Sequence, residues 1–595
     1  MKAGEGRRRH SFLARTIFMH MAAVLVAGGG VFAGDGAANE DWKPNRVDYA
    51  MYYLSEVKDA PNCSMTVQDG KVVIGDGITN PAMTCPDMFS WKLFAEVIQD
   101  EFWWRWAGEK DNWPPQPYRL CRSHETPDQG CCKPGDPGNH PHHCPSWPGD
   151  VNSQGRFGDT PDAPRELMKS LTDHLFTADF QHEIDALPEN AGIDSKTESG
   201  DTKPTCADYP LPDEVESIGR VIRFTNGGLT VRNRSFHDYL FENDLYNVEG
   251  VAAVFERNQQ NIPKRAPYRL MPVPSHEPEG LGVSKIELPV DAIMIKSNWM
   301  NAELLKKISE KYGWDFNFGD HSYVKKKMKQ KIKLGEGMQA VEYDCDGEHY
   351  LMAFHISSKD IPNWVWTTFE HVNLPGRCDI TGCNDSWGYF SSDADIPRGG
   401  ADNYVRPKTR SEKAVHGGKS SLDIFDRDRI YGAEEIRPQL AHFLDALNIG
   451  SGTRPSESTS PSDPAWRNYR LKGSQVEYVD ATGRPTLLGN SVTEAGFLDG
   501  SSCITCHARA GSDVYGPSPK IRSSCGEIRS RPGCKPSLPL SVFVNDLSDF
   551  GYGKSANGVP DPNWFNESNQ PQSLRVMQTD FVWGFLRARP LVNAQ

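Results

Sequence analysis

The 595-residue chain has few apolar residues for its size, 37% of the total, and they rarely run together. Beyond the N-terminus no stretch approaches the ~20 consecutive apolar residues that a membrane-crossing helix needs, which excludes a polytopic membrane protein. Positive charge is also in deficit. There are 65 Lys and Arg against 79 Asp and Glu, a net charge of −14, so non-specific attraction to nucleic acid is not expected. No phosphate-binding loop, dinucleotide fingerprint, nucleophile elbow or internal repeat is present, and the enzyme classes built on them drop out. Aromatic residues and cysteine are not scarce. The 15 Trp, 19 Tyr and 26 Phe are too many for a disordered chain, while 53 Gly and 43 Pro point to loop-rich architecture. Fourteen cysteines are more than a cytosolic chain of this kind carries without metal clusters, and they suit an oxidising compartment.

The N-terminus agrees. Arg7, Arg8 and Arg9 precede an apolar stretch from Ile17 to Phe32 that ends in Val31-Phe32-Ala33. This reads as a secretory signal peptide over residues 1–33. The other reading is a membrane anchor, for which His20 and Gly28-Gly29-Gly30 leave the stretch short and weakly apolar. The expected product is an exported, soluble protein of the periplasm with no membrane span.

One motif carries specific chemistry. Cys503-Ile504-Thr505-Cys506-His507 is C-x-x-C-H, the spacing at which two thiols add to the haem vinyl groups and the next histidine reaches the iron. A zinc knuckle needs a second ligand pair at matched spacing, and Cys525 and Cys534 do not supply it. A thioredoxin-type pair sits after a strand in a βαβ unit, which the Gly and Ser lead-in does not suggest. Here the chain resembles c-type cytochromes through its C-terminal, haem-binding segment. The resemblance implies one covalent haem c on Cys503 and Cys506, iron on His507, electron transfer and a redox partner protein. The motif occurs once, which disfavours a di-haem peroxidase of the usual bacterial kind.

The second axial ligand separates electron transfer from catalysis. After His507 there is no further histidine and a single methionine, Met577. Met577 is the natural ligand if the segment closes its own haem. Alternatively, Leu574, Met577, Phe581 and Phe585 form the apolar stripe of an amphipathic helix and Met577 is core. The middle of the chain then offers His355 and Glu370-His371, a histidine and carboxylate suited to moving a proton between peroxide oxygens. The blander reading is that His355 simply alternates along a strand and His371 caps an aromatic turn. Trp364-Val365-Trp366-Thr367-Thr368-Phe369-Glu370-His371, followed later by Ser502 and the haem motif, also resembles a group of large bacterial haem-c proteins of unassigned reaction. That resemblance implies one functional unit. The alternative to a carrier is therefore a peroxidase- or oxygenase-like haem-dependent oxidoreductase, with a distal pocket from the middle domain and a small-molecule substrate.

The other twelve cysteines suit disulfides, with Cys378–Cys383 and Cys525–Cys534 as local bridges. Cys121, His124, Cys131, Cys132, His140, His142, His143 and Cys144 concentrate ligands for zinc or copper, or else more bridges. The expected fold is α+β, loop-rich and disulfide-stabilised, with a mainly helical haem segment. Its regions are an aromatic, Cys-rich part over 34–150, a connection over 151–205 with a helical stretch near 164–186, a mixed α/β domain over 206–450, a linker near 451–465 and the haem region over 466–595. Within them we expect a helix from Trp91 to Trp106 and another from Ser235 to Leu245. A strand is expected from Lys285 to Ile295, and hairpins about Asn226-Gly227 and Asp346-Gly347. The six lysines between Lys325 and Lys333 mark a solvated loop or edge strand, or else a docking patch for an acidic redox partner.

Overall fold

Short runs of β-branched and aromatic residues, such as Val365-Trp366-Thr367-Thr368-Phe369, fit a pleated surface buried on both sides, and they build the centre of the molecule. A computed structural model describes residues 59–148, 204–264, 283–391, 434–494, 502–512 and 558–592, with shorter interruptions inside these ranges. All of them fall within one unit, Val47–Gln595.

In chain order the strands are β1 (Met65–Gln68), β2 (Lys71–Ile74), β3 (Gly227–Arg232), β4 (Ile293–Asn301), β5 (Lys325–Met328), β6 (Lys331–Leu334), β7 (Val341–Asp344), β8 (Gly347–Ser358), β9 (Val365–His371), β10 (Tyr389–Ser391), β11 (Glu434–Ile436), β12 (Tyr469–Gln475), β13 (Gly511–Ser512) and β14 (Met577–Gln578). The principal helices are α1 (Pro86–Gln99), α2 (Arg234–Glu242), α3 (Val248–Lys264), α4 (Ala302–Tyr312), α5 (Pro438–Ala446) and α6 (Cys503–Ala508). The expected α+β class holds.

The main sheet runs β12-β9-β8-β4-β3, every neighbour antiparallel, and β5 pairs with the start of β8. Successive side chains on a strand point to opposite faces, and this alternation gives the sheet two different coats. One face carries Ile295, Phe354, Ile356, Val365 and Phe369 and receives α1. There Phe94 lies 4.8 Å from Phe369 and 6.0 Å from Phe354, and Trp91 is 5.1 Å from Phe369, ring centre to ring centre. The opposite face carries Met294 and Trp366, and the same apolar cluster takes in Leu488, Ile504, Ala508, Met577 and Phe581. The C-terminal segment is therefore packed onto the sheet.

Four disulfides tie this together: Cys63–Cys85, Cys121–Cys131, Cys132–Cys144 and Cys206–Cys345. Both local pairs expected from sequence, Cys378–Cys383 and Cys525–Cys534, lie outside the described residues, as do residues 1–33 and the stretch near 164–186.

Several expected elements are corrected. Val221, Ile222 and Thr225 are helical, and β3 pairs with β4, so no hairpin forms about Asn226-Gly227. The strand expected from Lys285 begins only at Ile293. Asp346-Gly347 does not close a hairpin either. β7 pairs back with β6, and β8 goes to the sheet. α1 stops at Gln99, and after a left-handed Glu101 a separate turn of helix runs Phe102–Arg105. The lysines form β5 and β6, strands at sheet edges, with Lys331 bonded to Glu342 and Lys325 near Glu348. The apolar stripe expected to make a C-terminal helix instead spans strand β14, a turn at Asp580-Phe581 and a 3-10 turn at Trp583–Arg587.

Candidate haem-attachment site

α6 is short and is held from the sheet. Gln475, at the end of β12 and opposite Trp366 in register, accepts from the Ile504 N–H at 3.0 Å. Its amide also donates to Ser502 Oγ at 3.0 Å, and Ser502 Oγ donates to Thr505 Oγ1 at 2.9 Å. One otherwise orphaned N–H of the first helical turn, that of Ile504, is thereby satisfied. At about 100° per residue Cys503, Cys506 and His507 share one face of α6. They are half-buried, while Ile504, Thr505 and Ala508 on the other face are buried.

Among the described residues Cys503 and Cys506 are the two cysteines outside disulfides. Burial pushes the Cys506 thiol up to about 11, keeping it protonated. His507 donates from Nδ1 to the Phe581 carbonyl at 2.8 Å. Burial pushes this imidazole down to about 4, so it is neutral near pH 7 and presents the Nε2 lone pair. The Trp366 ring lies 4.4 Å from the His507 ring, centre to centre. A pair of thiols one helical turn apart, beside a neutral histidine whose tautomer leaves Nε2 as acceptor, fits a covalent haem. These residues would hold it.

The turn that supplies the Phe581 carbonyl is itself anchored. Asp580 accepts from Lys359 Nζ at 2.6 Å, from the Leu288 N–H at 2.7 Å and from Trp364 Nε1 at 3.4 Å. Burial raises the Asp580 carboxyl above the usual carboxylate range, and the Lys359 ammonium is the chief opposing influence. All three contacts are donors, so the site is built for the ionised form.

His355 sits on the face of the sheet that α6 covers. Its Nε2 lies 3.0 Å from Asn490 Nδ2, 3.2 Å from Thr493 Oγ1 and 3.5 Å from Glu494 Oε2. The Asn490 amide is oriented by Val492 N and Thr493 N, both donating to Oδ1, and the Thr493 hydroxyl donates to Asn298 Oδ1 at 2.6 Å. Nε2 thus meets one donor, the Asn490 NH2, and two acceptors. The buried Nδ1 of His355 has no partner among the described residues. Burial first, then the Lys296 ammonium, lower His355 well below its ordinary value, so it is neutral. Glu494 and Lys296 also act electrostatically on Cys506. The histidine–carboxylate pair near the motif is thus His355 with Glu494.

The expected pair Glu370-His371 is separated by the strand alternation. His371 points toward the α1 side, stacks 3.9 Å from Tyr323 and bonds the Ser322 carbonyl at 2.5 Å. Glu370 faces the other way, opposite Arg470 in register. The two cannot serve one proton transfer. Met577 is 5% exposed in the apolar cluster that also holds Ile504 and Ala508 from the buried side of α6.

Sequence reading missed Lys296, Asn490, Thr493 and Glu494. Lys296 and Asn298 alternating with Ile295 and Ser297 in β4 was a legible sign of a polar stripe. The loop at 490–494 carried no such sign. In the 121–144 cluster all four sulfurs are in disulfides, and His143 stacks on Tyr118 at 4.0 Å. No group of three or more His, Cys, Asp or Glu placed to hold a metal ion occurs among the described residues. A haem asks the protein for only one or two ligands.

Comparison with family models, with curated proteins and with solved structures returns no match to this chain.

Proposed function

We propose that this chain is an exported, mono-haem c-type protein of the periplasm that transfers electrons to a partner protein. The observation that carries the reading is the half-exposed face of α6, where two thiols outside any disulfide stand beside a histidine whose Nδ1 is held by the Phe581 carbonyl, leaving Nε2 as acceptor. Once bound, the haem supplies a one-electron couple whose potential its axial ligands and surroundings set. The residues do the rest. Cys503 and Cys506 hold the group, His507 Nε2 offers an iron ligand, and Trp366 and the sheet limit water on one side. Four disulfides support an oxidising compartment, and no described helix is long and apolar enough to cross a membrane.

A second reading, haem-dependent catalysis, is favoured by one specific observation: the buried, unpartnered Nδ1 of His355. A buried polar atom without a partner costs about 1–3 kcal/mol, a penalty that a bound small molecule would relieve. Glu494 beside Nε2 is then placed to exchange a proton through the ring.

The absorption spectrum of the reduced protein separates these readings. A carrier gives a low-spin spectrum that carbon monoxide leaves unchanged. A high-spin iron that binds carbon monoxide moves the conclusion to catalysis. Haem staining on a denaturing gel should vanish in Cys503→Ala/Cys506→Ala, and haem retained covalently in that variant would refute the attachment.

A further inference from the structure

His507 depends on a single carbonyl, that of Phe581, and the backbone presenting it is held in an uncommon conformation. Asp580 and Phe581 have φ of 46° and 66°, both left-handed, and neither is glycine. Two such residues in succession persist only where the surroundings over-determine them. Here the Val582 N–H closes the turn on the Thr579 carbonyl at 3.0 Å, Thr579 Oγ1 donates to the Val582 carbonyl at 2.9 Å, and a buried ion pair holds the Asp580 side chain. Lys359, 3% exposed just after β8, donates to Asp580 Oδ1 at 2.6 Å, to Glu287 at 3.2 Å and to the Pro362 carbonyl at 3.2 Å. Leu288 N–H holds the other Asp580 oxygen. With Asp580 so anchored, the carbonyl of the next residue, Phe581, faces His507 Nδ1 at 2.8 Å. A cation from the sheet, 221 residues distant in sequence from Asp580, thereby fixes the partner of the candidate iron ligand.

We infer that Lys359 and Asp580 are positioning residues that set the hydrogen bond on His507 Nδ1, and through it the reduction potential of the bound haem. The inference rests on the haem reading above. Donation from the imidazole N–H to a carbonyl raises the basicity of the ligating nitrogen, which favours the oxidised iron and lowers the midpoint. Loosening the ion pair should weaken that bond and raise the midpoint.

The sign makes the test specific. Removing a buried cation acts through its field alone to lower the midpoint, because a nearby positive charge favours the reduced iron. Lys359→Met is therefore expected to shift the midpoint upward in a redox titration of the full-length protein carrying its haem, and Lys359→Arg to restore it. Should Lys359→Met not accumulate, Lys359→Gln, whose shorter and neutral amide replaces the bridge to Asp580 and Glu287 by at most one weaker bond, still loosens the anchor and carries the same expected sign. An unchanged or lowered midpoint, with haem stain intact, overturns the positioning role. Absence of covalent haem from the unsubstituted protein overturns the haem reading instead, so the two failures are distinguishable.

Discussion

His237 illustrates how a single ring ties this protein to pH. It lies in α2, 2% exposed, with Nδ1 facing Asn112 Oδ1 at 3.3 Å. The Asn112 amide donates to the Ala107 and Gly108 carbonyls, so its oxygen is the atom turned toward the ring. Burial first, then the Arg234 charge, push His237 down to about 3 from an ordinary 6.5. Between those values the unfolded chain takes up a proton that the folded one refuses, so stability rises with pH across the window. Its contribution is complete above about 6.5, and it falls by about 1.4 kcal/mol for each unit of acidification below that. Chemical denaturation at pH 7, 6 and 5 should show stability falling with acidification, and His237→Gln should reduce the slope by about 1.4 kcal/mol per pH unit. An equal slope in the variant would rule the ring out. The residue scale is also where sequence reading reached furthest. Cys503, Cys506 and His507 were legible because their chemistry is bound to a local spacing. Glu494 was not, because its partner His355 lies 139 positions earlier and only the sheet brings them together.

At the level of elements, α1 decides how the sheet divides its labour. By covering one face with Trp91, Phe94 and their neighbours, it leaves the other face for α6 and the polar group around His355. Phe94 touches this arrangement at its centre, fully buried between Phe354, Phe369 and Trp466. Phe94→Ala should lower stability by about 3–5 kcal/mol, read as a lower urea midpoint. A loss under 1 kcal/mol would mean that the cluster refills or matters little. Helices were read well from sequence where periodicity and capping agreed. The expected helix from Ser235 to Leu245 is α2, Arg234–Glu242, with Asn233 capping through Phe236 N. Strand partners were read poorly. Asn226-Gly227 and Asp346-Gly347 look like local turns, but β3 and β8 find better partners in β4 and β9, because pairing in a sheet is settled by long-range burial. The Leu574–Phe585 stripe failed as a helix for a related reason. Its apolar residues are anchored one by one, with Met577 against β13 and Phe581 beneath His507.

Across the whole molecule, the bridge from Cys206 to Cys345 spans the longest stretch of the four, a separation of 139 residues. Closing so long a loop restricts the unfolded chain most, and losing such a bridge typically costs about 2–5 kcal/mol. The Cys206→Ala/Cys345→Ala variant should show a lower denaturant midpoint than a variant lacking Cys121–Cys131, whose separation is 10. Equal losses would argue that local geometry, and not chain entropy, governs both.

The carbonyl that holds His507 lies 74 residues further along the chain. At roughly 5–20 residues per second of synthesis, the segment that becomes α6 precedes its anchor by about 4–15 s. Until the tail arrives, Cys503, Cys506 and His507 cannot be docked against it. The fold thus contains an order of assembly, in which the face of α6 comes first and the latch behind it last.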